Sequence, residues 1–163
     1  MKRLIRPVVL LALLAASLPV SAIERGPLPT FTAVAATGAA VTSAALSSET
    51  KWLLIYVVPG NPACNKMLTA LQSWASPAFL SRVVIVVGGK LKTAQPLIES
   101  RTATTAGSYT WYADPDGAAA KALQIQSVPT VVAVTQGKIE WTLGGVLNDP
   151  SAIESALRTW IEY

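Results

Sequence analysis

The chain has 163 residues, with 13 Lys+Arg against 9 Asp+Glu, a single cysteine and no histidine. Without histidine, Ser-His-Asp catalysis, Cys-His catalysis and histidine metal ligation are all excluded. One cysteine excludes an internal disulfide, and the few unclustered carboxylates give no reason to expect a metal or a resident cofactor.

Residues 1–22 have the layout of a secretory signal peptide: a basic start at Lys2, Arg3 and Arg6, an apolar run from Val8 to Ala16, and the small-residue pattern Val20-Ser21-Ala22. The apolar run is short against the ~20 residues of a membrane span. A cut after Ala22, rather than a retained anchor, is therefore expected, and with it a periplasmic or secreted protein. Cleavage leaves 141 of the 163 residues, with ten basic against nine acidic side chains. No basic face remains, so nucleic acid is not an expected partner. In an oxidising compartment an odd cysteine is a buried inert thiol, a reactive thiol or an intermolecular bridge.

Residues 23–50 are rich in Pro, Ala, Thr and Ser and read as an N-terminal extension with candidate edge strands at Phe31–Ala36 and Ala39–Leu46. The main domain is expected over 51–163. Trp52–Val58 is a continuous apolar run, the signature of a central strand buried on both faces. It feeds Pro59-Gly60-Asn61-Pro62-Ala63-Cys64 and then a helical pattern from Asn65 to Ala75. Asn61 is a favoured N-cap, and Pro62 suits the first helical position. Met67, Leu68, Leu71 and Trp74 form one apolar face, and Ser76-Pro77 is read as the helix end.

Val83–Val87 is a second buried strand, closed by Gly88-Gly89. A weak helix is placed around Ala94–Arg101, and a strand at Tyr109–Ala113. Asp114-Pro115-Asp116-Gly117 is a turn in which Pro presets φ and Gly takes the unusual angle. Asp114 and Asp116 read as turn residues, since the further ligands of a calcium loop are missing. A short helix follows at Ala118–Gln124. Val131–Val134 and Lys138–Leu143 flank the hairpin signal Gln136-Gly137, and Gly144-Gly145 follows. Asp149 or Ser151 caps a last helix through Trp160, with Ile153, Ala156, Leu157 and Trp160 on one face. Strands alternating with helices before a terminal hairpin and helix imply an α/β fold: a central mixed β-sheet flanked by helices on both faces.

Three pieces together carry a family resemblance: the Asn61–Cys64 turn between strand and helix, Ser127-Val128-Pro129-Thr130 leading into a strand, and Gly137-Lys138 before Gly144-Gly145. On these the chain resembles the thioredoxin-like superfamily, especially its exported TlpA-like thiol–disulfide proteins, from about Trp52 to the C-terminus. The resemblance implies a thioredoxin-like fold in which Pro129 is a cis proline facing the Asn61–Cys64 turn. It also implies that the backbone at Val128 docks an extended protein or peptide segment, with Asn61, Pro62 and Thr130 around it.

The departure from the family governs the functional expectation. Asn61 stands where the family has its nucleophilic cysteine, and Cys64 where it has the resolving one. Dithiol exchange needs attack by the first thiolate and release of the mixed disulfide by the second, and neither step can run through Asn61. The strand Trp52–Val58 also has no acid for proton transfer. Cys64 near a helix N-terminus is open to thiolate stabilisation, so three readings stand: a thiol packed under the turn, a reactive monothiol, and a bridge that makes a disulfide-linked dimer. Asn61 is a plain N-cap or a functional amide, and Trp52 and Tyr56 are candidates for the floor of a peptide groove. The expected function is a binding or accessory module with at most monothiol chemistry at Cys64. The alternative is a thiol–disulfide oxidoreductase or isomerase that uses Cys64 with an external thiol.

Overall fold

The computed structural model describes residues 26–74, 76–103, 109–145 and 150–162. The expected signal segment and the candidate cap Asp149 lie outside them. Among the described residues no helix is long and apolar enough to cross a membrane.

Eight strands form one sheet: β1 (Gly26–Pro27), β2 (Thr32–Ala35), β3 (Ala40–Thr42), β4 (Lys51–Val57), β5 (Val83–Gly88), β6 (Thr110–Asp114), β7 (Thr130–Thr135) and β8 (Lys138–Gly144), in the order β1-β8-β7-β4-β5-β6-β2-β3. β4, β5 and β6 are parallel neighbours, and every other pairing is antiparallel. The helices are α1 (Pro62–Ser73), α2 (Pro77–Arg82), α3 (Leu91–Thr102), α4 (Ala118–Ala122) and α5 (Pro150–Glu162).

The apolar run of β4 divides its side chains between two cores because successive residues point to opposite faces. Leu53, Ile55 and Val57 join residues of α1, α2, α3 and α5 in one layer. Trp52, Leu54 and Tyr56 join α4, Phe31, Ala33 and Leu46 in the other. Helices thus cover both faces of a mixed sheet, the α/β architecture expected from the element order. The candidate edge strands Phe31–Ala36 and Ala39–Leu46 supply β2 and β3 at one edge of the same sheet, while β1 at the other edge has no counterpart in the sequence reading; Phe31 and Leu46, flanking β2 and β3, reach the second core.

The hairpin forms as expected, with positive φ at both Gln136 (50°) and Gly137 (71°), the pair of angles a type I′ turn requires. One helix differs from expectation. Ser76-Pro77 does not merely end α1 but starts α2: the Ser76 side chain accepts a hydrogen bond from the Phe79 N–H, and Pro77 takes the first helical position. The last helix also rotates slightly from its expected face, burying Leu157 and Ile161 while Ala156 is exposed.

Candidate functional site

The Pro59–Cys64 turn leaves the end of β4 with Gly60 at φ 77°, a backbone angle natural to glycine. Asn61 is in an extended conformation, and its Oδ1 accepts hydrogen bonds from the N–H groups of Ala63 (2.9 Å) and Cys64 (3.1 Å). Two N–H groups that α1 would leave unpaired are thereby satisfied. Asn61 is an N-cap whose amide oxygen is occupied by its own helix.

Cys64 follows at the third helical position with 0% of its surface exposed. Its Sγ accepts a hydrogen bond from the Val58 N–H at 3.4 Å. Two effects act on the thiol. Burial pushes its pKa up from the ordinary value, and the Val58 N–H pulls it back by a smaller amount. A helix N-terminus on its own favours a thiolate, but burial is the larger effect here.

The second piece of the site arrives by strand register. β7 pairs with β4 from Thr135 opposite Lys51 to Thr130 opposite Tyr56. The residues just before Thr130 therefore lie beside the chain leaving β4 into the turn, and Val128 packs against the same core as Cys64 and Val58. The Val128–Pro129 peptide bond is cis. Thr130 is buried, and its hydroxyl donates to the Ser127 carbonyl, tying the loop across the proline. The Pro129 carbonyl accepts from the Gly145 N–H at 3.0 Å. Gly144 makes this closeness possible, since a Cβ there would lie 2.7 Å from Ser127 Oγ.

Of the residues expected to dock a partner, Pro62 is exposed, Asn61 and Val128 are half-buried, and Pro129 and Thr130 are buried. Thr130 therefore shapes the loop from inside. Among the described residues no backbone group makes a hydrogen bond to Val128. Val58, Ser127 and Gly144 complete the site. All three lie in segments the sequence singles out, Val58 at the end of an apolar run, Ser127 before Val128-Pro129 and Gly144 in a glycine pair at hairpin spacing, but nothing local assigns them to the site.

Trp52 and Tyr56 do not floor a groove here. Each is only 4% exposed, in the core on the side of the sheet opposite Cys64. The Tyr56 hydroxyl instead donates to Asp114 Oδ2 at 3.0 Å. Asp114, expected to be a turn residue, is 0% exposed. Its carboxylate also accepts from the N–H groups of Ala119 and Ala120, both at 3.1 Å. Gly88 clears the space for this pair, because a Cβ at that position would lie 2.1 Å from the Tyr56 oxygen. Burial, together with the Asp114 charge and hydrogen bond, raises the Tyr56 pKa far above its ordinary value. Among the described residues no cluster of three or more His, Cys, Asp or Glu side chains could hold a metal ion.

No family model and no curated protein matches the sequence. Solved structures do match. A secreted disulfide oxidoreductase of Mycobacterium tuberculosis superposes with TM-score 0.60 at 18% identity, covering 79% of this chain and 95% of its own. The exposed lipoprotein thioredoxin of Streptococcus pneumoniae gives 0.59 at 18%, covering 80% and 98%. A thiol:disulfide interchange protein of the thioredoxin family from Chlorobium tepidum gives 0.58 at 16%, covering 85% and 97%. At these identities the likeness shows the fold: the chain has a thioredoxin-like fold, as the resemblance in its sequence implies.

Proposed function

We propose that the protein is an exported thioredoxin-fold binding or accessory module that holds an extended protein or peptide segment along Val128, beside the N-terminus of α1, and runs no dithiol exchange. The observation that carries this reading is the Asn61–Cys64 pair. The first position is a helix cap and the second a sulfur with no exposed surface. The backbone at Val128, without a partner among the described residues, supports an extended occupant that pairs as a strand does. The signal-like residues 1–22 support export, as does likeness to a secreted protein and to an exposed lipoprotein.

A second reading takes the neighbours' thiol–disulfide chemistry at its word. Cys64 thiolate would attack a substrate disulfide and release one thiolate, and an external thiol would then attack the mixed disulfide to regenerate Cys64. Burial of Sγ and the raised thiol pKa weigh against this reading, and burial weighs equally against a dimer bridged through Cys64.

The two readings separate in one experiment. A panel of extended peptides is titrated against the mature protein and followed by amide chemical shifts, with glutathione-coupled disulfide reduction assayed in parallel. Binding that perturbs Val128 and α1, is lost in Val128→Asp and is kept in Cys64→Ser supports the binding module. Disulfide turnover that disappears in Cys64→Ser supports the monothiol enzyme and overturns the proposal.

A further inference from the structure

The candidate site continues on the far side of β4, at the start of α3. β4 pairs with β7 on one flank and with β5 on the other. The chain leaving β4 therefore runs between the Val128–Pro129 loop and Gly88-Gly89. The approach is close, since a Cβ on Gly89 would lie 3.9 Å from Pro59 Cδ. Lys90, Leu91 and Lys92 follow directly and open α3.

This stretch is unmatched within the described chain. Leu91 is 44% exposed, one of two large apolar side chains so exposed among the described residues. Lys90 and Lys92 flank it and are exposed too. Neither forms an ion pair with a described residue. The first turn of α3 holds no acid to offset them. Of the described acids one strand further on, Asp114 is buried under the Tyr56 hydroxyl and Asp116 is exposed in the next turn.

We infer that the occupant of the Val128 groove is an acidic peptide segment. It crosses Pro59 to α3, lays an apolar side chain on Leu91 and brings carboxylates to Lys90 and Lys92. This rests on the binding reading above and adds the partner's chemistry. Two strand spacings, ~10 Å, separate the backbones of Val128 and Gly88, a span of about three extended residues. The acids therefore stand about three to five residues from the one beside Val128. Two lysines around one leucine are too few for a polyanion such as nucleic acid, whose binding needs many phosphate contacts. They suit a short segment of mixed apolar and acidic character, with the charges setting specificity.

Three peptides of one length and one apolar core test this, ending in glutamates, glutamines or lysines. Each is titrated against the mature protein and followed by amide chemical shifts. At low salt the glutamate peptide should bind about tenfold tighter than the lysine one, the scale of two exposed ion pairs, and high salt should erase most of the difference. Lys90→Glu with Lys92→Glu, both at exposed positions, should reverse the order. Leu91→Ser should weaken all three peptides severalfold. Lys138→Glu, on the distant hairpin, should change little. Binding that Val128→Asp abolishes but that ignores peptide charge overturns this inference and leaves the binding reading standing. A charge preference that Lys138→Glu removes as fully as the α3 pair reflects net charge and overturns it as well. No binding by any peptide overturns both.

Discussion

The two sides of β4 each bury a group that can ionise, and they treat it differently. On one side Cys64 has a single weak hydrogen bond, from the Val58 N–H, and otherwise belongs to an apolar cluster. On the other, Asp114 receives three hydrogen bonds, from Tyr56, Ala119 and Ala120. A thiol loses little on entering an apolar core as a neutral group, whereas a carboxylate must be fully partnered to be buried. The polar investment of this fold therefore lies away from its sulfur. The carboxylate fastens α4 to the sheet, and the thiol fills space.

The comparison is broken most severely from the carboxylate side. Asp114→Ala strands a buried phenol and two backbone N–H groups, with an expected loss of about 3 kcal/mol. Scanning calorimetry should show Tm lower by roughly 6–12 °C, at ~2–4 °C per kcal/mol for a chain of this length. Gly88→Ala drives a methyl group into Tyr56, and urea unfolding should register a loss of about 1–3 kcal/mol from overpacking. On the thiol side the effects are smaller. Asn61→Ala removes the cap of α1 and should cost about 1 kcal/mol in the same measurement, without changing the low reactivity of Cys64.

The smallest effect lies in the pH dependence. Cys64 has a raised pKa in the folded protein, so its thiol keeps a proton that the unfolded chain gives up above ~8.5. Its contribution to stability is full below that pH and declines as pH rises further. Tyr56, Tyr109 and Tyr112 are raised in the same direction by burial and add a steeper decline above ~10. Urea midpoints measured from pH 7 to 11 should show both phases in the parent, and the first should vanish in Cys64→Ala.

Local signals in the sequence carried far. The run at 52–58, the Asn-Pro cap of α1 and the Gln136-Gly137 hairpin follow from chemistry between near neighbours, and the structure places them as expected. What was hidden depended on distance. Asp114 sits in a segment with every mark of a turn, and nothing local indicates that its main side-chain partner is Tyr56, 58 positions earlier. Tyr56, a candidate for a groove floor, lies elsewhere for a reason the sequence contains: strand alternation puts it on the face opposite Ile55 and Val57, which line the Cys64 core. Ser76-Pro77 was ambiguous in kind, because the same dipeptide ends one helix and caps the next.

Native-state alkylation of the single thiol tests the central claim most directly. With iodoacetamide at pH 8, followed by intact mass, Cys64 should label only as fast as the protein unfolds, and immediately once denatured in urea. Labelling of the folded protein at the rate of the unfolded chain would mean that the sulfur is accessible and ionised. That result would contradict the account and return the protein to the monothiol reading.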